Sequence, residues 1–195
     1  MKNSFLAASV LSALVTFPLP SQAETTIVVS VRDQELAIVR DGTTVAKFPI
    51  STSKFGVGDR PRSYGTPLGT LKIAAKIGQD APVGAVFKGR RMTGEIIRVN
   101  SPGRDPIVTR ILQLRGCERS NANALSRGIY IHGTPQERRI GRPASYGCIR
   151  MRSRDVVKLF RTVPVGARVE IVPNTLRDGI RVVATPAPKA TLASR

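Results

Sequence analysis

An acyl-transfer site needs a thiol or hydroxyl to attack, an imidazole to take its proton, and a turn of backbone N–H groups to hold the developing oxyanion. This chain has residues for each part. The imidazole is His132, the only histidine among 195 residues. Cys148 follows sixteen positions later, across a segment containing Gly141, Pro143 and Gly147 that can fold back on the element carrying the histidine. A cysteine attacks as thiolate, so near neutral pH it needs an imidazole or another positive group beside it. The run Ser145-Tyr146-Gly147-Cys148 has the composition of a tight nucleophile turn. Gly147 permits a backbone conformation that other residues avoid, which lets successive N–H groups converge on one point as an oxyanion hole. The chemistry these parts support is acyl transfer through a thioester.

The same residue types have other uses. A zinc site from His132, Cys117 and Cys148 would lack the close ligand pairs that metal sites use, so no metal is expected. Cys117 follows the apolar run that ends at Leu114 and has no catalytic neighbourhood; it is expected to be a structural thiol, unbridged to Cys148, because a disulfide would consume the nucleophile. Arg150 could grip a substrate carboxylate in bidentate fashion or pair with a nearby acid such as Asp155. Ser145 could touch substrate or steady the turn through a local side-chain to backbone bond.

The elements that must position these groups are mostly strands. Short β-branched runs at residues 25–31, 35–40 and 43–50 are bounded by turn formers, and a further strand is expected over 67–73, central in its sheet. Residues 78–105, rich in Gly and basic side chains, suit long hairpin loops over a site and a lid. Strands are expected at 107–114 and 128–132. In the second, the two-residue period puts Ile129 and Ile131 on one face, Tyr130 and His132 on the other. Val156, Leu159, Phe160 and Val163 repeat at helical spacing, predicting a helix over 155–163 capped by Ser153 and stopped by Pro164. A last strand is expected at 168–172.

Together, Ile131-His132-Gly133-Thr134, Gly141, Ser145-Tyr146-Gly147-Cys148-Ile149-Arg150-Met151, then Asp155 and Leu159, resemble the signature of the L,D-transpeptidase catalytic domain, the YkuD-type family. Pro67-Leu68-Gly69 is similar, more weakly, to a Thr-Pro-x-Gly element of that family. The resemblance implies a mainly β, sandwich-like fold with one or two short helices, no cofactor, and a peptidoglycan tetrapeptide stem as substrate. It implies Cys148 as nucleophile, His132 as base, the Gly133 carbonyl orienting His132, and the N–H groups of Tyr146, Gly147 and Cys148 holding the oxyanion. The acceptor could be a stem amine, the lysine of a wall-anchored protein, or water, the last giving an L,D-carboxypeptidase. One departure stands out: most members have histidine where this chain has Tyr146. A non-catalytic, basic wall-binding module is the alternative that this departure and the charge suggest.

Residues 1–23 read as a secretory signal: Lys2, an apolar run too short to span a bilayer, and Ser21-Gln22-Ala23 as the cleavage site. The catalytic domain is expected over 24–173, a basic Pro/Ala-rich tail over 174–195, and the mature protein in the periplasm or cell wall with no membrane span. The formal charge of +18 would suit nucleic acid, but with aromatics at 5% and no Trp there is no stacking motif, and an exported protein fits an anionic wall or membrane surface better.

Overall fold

The computed structural model describes residues 24–184. The expected secretory segment and the last eleven residues of the expected tail lie outside them. Ten strands are present: β1 Thr25–Ser30, β2 Glu35–Arg40, β3 Thr43–Ser51, β4 Gly69–Ile77, β5 Ala85–Lys88, β6 Arg91–Ile96, β7 Ile107–Gly116, β8 Tyr130–Gly133, β9 Ile149–Met151 and β10 Arg168–Val172. Two helices accompany them, α1 Ser153–Thr162 and α2 Leu176–Ala184. The sheet runs β4-β10-β1-β2-β3-β9-β8-β7 and closes through a β4–β7 pairing, a barrel-like sandwich from which the β5–β6 hairpin hangs on β7. Closure leaves β4 no more central than its neighbours: it bonds β10 on one side and β7 on the other.

The apolar runs of β1 and β2 are continuous because both faces are buried. Ile27, Val29, Leu36 and Ile38 enter the main core with Ile131, Ile149 and Met151. Val28, Ala37 and Val39 face the other way, under Leu176, Ile180 and Val183 of α2. This helix occupies part of what the sequence suggested was tail. Its apolar residues do recur at helical spacing, but Gly179 among them reads as a breaker. Its role is packing: a Cβ there would sit 2.7 Å from Val28 Cγ1.

Helix α1 supplies Val156, Leu159 and Phe160 to the main core, and Val163 just past its end joins them, as the periodicity predicts. The expected cap is corrected. Ser153 is the first helical residue and Arg152 the capping position, with no side-chain cap of its own. The free N–H of Ser153 is instead taken by Glu137 Oε1 at 2.8 Å, and the Ser153 hydroxyl bonds Thr109 Oγ1 at 2.8 Å. A carboxylate brought from a distant loop does the work a local serine was expected to do.

Candidate active site

Strands β8 and β9 lie side by side and parallel, with His132 opposite Arg150 and Ile131 opposite Ile149. Ile129, Ile131, Ile149 and Met151 all point into the main core. Alternation therefore sends Tyr130, His132 and Arg150 to the other face, and Cys148, one residue before Ile149, with them. Cys148 and His132 thus fall on the same side of adjacent chain segments, two register positions apart, with the thiol turned to Gly128 O and the imidazole to Gly133 O.

His132 is 5% exposed, and its Nδ1 lies 2.8 Å from Gly133 O. A carbonyl can only accept, so Nδ1 carries the proton and Nε2 is left with its lone pair. Gly133 is needed there because a Cβ would meet Val108 O at 2.6 Å. Burial pulls the imidazole pKa down to about 4, against a smaller opposing effect of the Gly133 carbonyl. The resting imidazole is neutral.

The turn that carries Cys148 is tied on every side. Gly147 has φ +117°, a left-handed conformation that a side chain would strain. Ser145 Oγ donates to Cys148 O at 2.5 Å and accepts from Gly147 N at 3.2 Å, so this serine steadies the turn. The Gly147 N–H, expected as an oxyanion donor, is thereby engaged within the turn, by a long bond that a stronger acceptor could displace. Residues 52–66 are stitched to the same turn: Lys54 N donates to Ser145 O at 3.1 Å and Thr66 Oγ1 to Gly147 O at 3.1 Å.

Cys148 is half-buried, and its thiol donates to Gly128 O at 3.4 Å. Burial pushes the thiol pKa up to about 11, more than the Tyr130 backbone and the Arg127 charge pull it back. The sulfur lines a cleft of about 660 Å³ whose walls include Arg62, Tyr64, Asn123, Arg127 and Tyr146. Tyr146, 60% exposed, stands at the rim in a three-ring cluster with Phe55 and Tyr64, centroids 5.3 and 5.6 Å away, and its hydroxyl accepts from Lys54 Nζ at 3.2 Å.

Two expectations about charged and thiol residues change. Arg150 is buried and pairs with Asp105, which also accepts from Thr134 Oγ1; Asp155, the acid suggested by its proximity in sequence, lies instead 3.5 Å from Arg154. Arg150 is not among the residues lining the cleft, and its Nε and Nη2 are buried without partners. Cys117 is exposed at the end of β7 rather than packed behind it, since the strand carries it past the core. Both cysteines are free, and no cluster of three or more possible metal ligands occurs among the described residues.

One contributor left no mark in the sequence reading. The Arg127 side chain, 7% exposed, donates from Nη1 to Asp59 Oδ1 at 2.6 Å and Gly58 O at 3.0 Å, and from Nη2 to Ser63 O at 2.9 Å and Gly65 O at 2.7 Å. It fastens the 58–65 loop beside Gly147 and places a fixed positive charge next to the thiol.

Comparison with known proteins agrees with this geometry. The L,D-transpeptidase catalytic domain family (YkuD) matches residues 24–171. The L,D-transpeptidase-family protein YqjB of Bacillus subtilis is 30% identical over 171 residues, covering 87% of this chain and 82% of that protein. A shorter match, 38% identical over 66 residues, links 31% of this chain to 22% of YbiS from Escherichia coli. Among solved structures, an L,D-transpeptidase from Mycobacterium smegmatis superposes with a TM-score of 0.48 at 23% identity, over 77% of this chain and 59% of that one. The chain thus spans less than two thirds of the mycobacterial structure and under a quarter of YbiS. With the family model matching residues 24–171 and YqjB matched over most of both chains, the chain belongs to the L,D-transpeptidase catalytic domain family.

Proposed function

We propose that this chain is a peptidoglycan L,D-transpeptidase that works through a thioester on Cys148. The observation that carries this reading is the placement of Cys148 at a cleft, on a glycine-dependent turn, on the same face as a buried histidine whose Nε2 is free to accept a proton. His132 Nε2 takes the thiol proton as sulfur attacks the carbonyl of the third stem residue, which is typically diaminopimelate. The tetrahedral oxyanion is held by the N–H groups of Tyr146, Gly147 and Cys148, the Gly147 donor turning from Ser145 Oγ toward the stronger acceptor. Collapse breaks the peptide bond, His132 returns the proton to the departing D-Ala amine, and a thioester remains. An amine of a neighbouring stem then attacks, forming the cross-link and restoring the thiol. With the thiol at about 11 and the imidazole at about 4, proton transfer accompanies attack rather than preceding it.

The proposed place of action is outside the inner membrane, which the leading segment supports; among the described residues no helix is long and apolar enough to cross a membrane. The test is incubation with purified disaccharide-tetrapeptide, followed by mass spectrometry. Cross-linked dimers with release of D-Ala are expected. Tripeptide alone would make the protein a carboxypeptidase, and unchanged substrate with no carbapenem adduct at Cys148 would leave a wall-binding module.

A further inference from the structure

A second pocket, sharing no residue with the cleft at Cys148, lies where β4, the β4–β5 loop, β7 and α1 meet. It encloses about 360 Å³ and is lined by Lys76, Gln79, Asp80, Arg110, Phe160 and Arg161. Three cations therefore converge on it against one carboxylate. Lys76, Arg110 and Arg161 make no ion pair among the described residues. Asp80 is near enough only to act on Arg110 through space.

Arg110 is the unusual member. The residue is 6% exposed, and its guanidinium lies 5.6 Å from the centre of the Phe160 ring. Nη1 donates to Ala81 O at 2.6 Å and Thr109 O at 2.5 Å, while Nε and Nη2 have no partner among the described residues. Lys76 Nζ lies 4.5 Å over the same ring and donates one bond, to Val163 O at 2.9 Å, keeping two further protons. A guanidinium held in place by two carbonyls, with donors left over at the pocket and two further cations beside it, presents an entering anion with partners already positioned. Burial and the Arg161 charge both press on the charged form of Arg110, in keeping with that geometry.

We propose that this pocket is a binding site for a phosphate-type oxyanion, taken by the free edge of Arg110 and by Lys76 and Arg161. A guanidinium edge matches two phosphate oxygens, and an ammonium adds a point charge to a third. Phosphodiesters of a wall polymer and of a lipid headgroup present the same chemistry. A site of this kind would hold the domain on an anionic surface while leaving the thiol cleft open, and it stands whether or not Cys148 is active.

Calorimetric titration of the full chain with inorganic phosphate, at constant ionic strength set by chloride, tests this. Saturable binding at one site is expected, weakened about tenfold or more by Lys76→Met with Arg161→Met, and tightened by Asp80→Asn, which removes the competing carboxylate. Arg161→Met alone keeps every hydrogen bond described above, so its loss of affinity cannot be blamed on misfolding. Lys88→Met with Arg91→Met removes the same charge from the β5–β6 turn and should change affinity less than about twofold. Equal weakening by both double variants, or no saturable binding by the wild type, would overturn the site in favour of diffuse attraction to a +18 chain. Glycerol 3-phosphate and phosphatidylglycerol vesicles then separate the two sources: pelleting with vesicles that is lost in the Lys76 and Arg161 double variant assigns a lipid headgroup, and binding to glycerol 3-phosphate alone assigns a polymer phosphate.

Discussion

Cys117 and Cys148 each sit at the end of a strand, yet they occupy opposite kinds of environment. Cys117 is exposed, just past β7, with its N–H on Thr70 O at 3.0 Å. Cys148 is half-buried on a turn tied through Ser145, Thr66 and Lys54, beside a buried arginine and on the face of the only histidine. The more accessible thiol is the one without machinery. Accessibility governs reaction with small alkylating agents, whereas productive acylation depends on how the carbonyl is held and where the proton goes.

That contrast breaks most sharply on substitution. Cys148→Ala should reduce release of D-Ala from tetrapeptide to background with the circular dichroism spectrum unchanged, while Cys117→Ala stays within about twofold of wild type. Equal losses in the two variants would remove the basis for assigning a single nucleophile. The base should rank next. His132→Ala is expected to lower turnover by about 10²–10⁴-fold, the usual worth of general base help, since no other imidazole can substitute. A loss below about tenfold would mean that the thiol proton leaves by another route.

What could be read from the sequence follows from how local each interaction is. The contact of His132 with Gly133 and the tied Ser145–Cys148 turn were legible because each lies within a few residues, and Gly147 does adopt the backbone conformation its type suggested. Alternation along β8 predicted the face of His132, and the main core confirms it through Ile129 and Ile131. The partner of Arg150 was misread because Asp105 lies 45 residues away, while Asp155 is a near neighbour in the chain. Arg127 and Asp59 are 68 residues apart and neither has a motif, so nothing local marks them as a buried pair. Composition hid α2: the Pro, Ala and basic residues of 174–195 read as tail, and nothing local shows that Gly179 packs against Val28.

The missed pair can sharpen the contrast between the cysteines. Removing one member of a buried ion pair strands the other, so Arg127→Met should cost about 3–5 kcal/mol in urea unfolding. It should also speed proteolysis of the 58–65 loop, whose carbonyls at Gly58, Ser63 and Gly65 lose their donor. Arg127→Lys keeps the charge and is expected to recover only part of that stability, because one ammonium cannot reach four acceptors. Full recovery would reduce Arg127 to a charge alone.

Acid should loosen the same region through His132. Its folded pKa lies at about 4 against an ordinary 6.5, so between those values the unfolded chain binds a proton that the folded chain does not. Stability therefore rises with pH across that window and is lost on acidification, by about 3 kcal/mol if the whole difference is realised. The melting temperature should fall from pH 7 to pH 4, and His132→Gln should flatten much of that fall. A slope unchanged in the variant would place the acid sensitivity in the carboxylates instead. At the other end, the raised thiol pKa of Cys148 predicts loss of stability as pH climbs from about 9 toward 11, because the unfolded thiol ionises first.

The smallest effect is expected where this chain departs from its family. Tyr146 occupies the position before Gly147 at which the sequence resemblance implies histidine in most members. If that position contributes chiefly its backbone N–H, the side chain is free to serve at the cleft rim, where its ring packs on Phe55 and Tyr64 and its hydroxyl accepts from Lys54 Nζ at 3.2 Å. Tyr146→Phe keeps the donor and the stacking and removes only the Lys54 bond, which is exposed and worth little. Tyr146→His keeps the donor and restores the common family residue. Each should change kcat/KM by less than about tenfold, a difference of about 1.4 kcal/mol that altered packing can account for. Steady-state rates of D-Ala release, measured beside His132→Ala, give the comparison directly. If Tyr146→Phe instead costs as much as His132→Ala, the phenol handles a proton or the oxyanion, and a site built on one histidine and backbone donors is wrong.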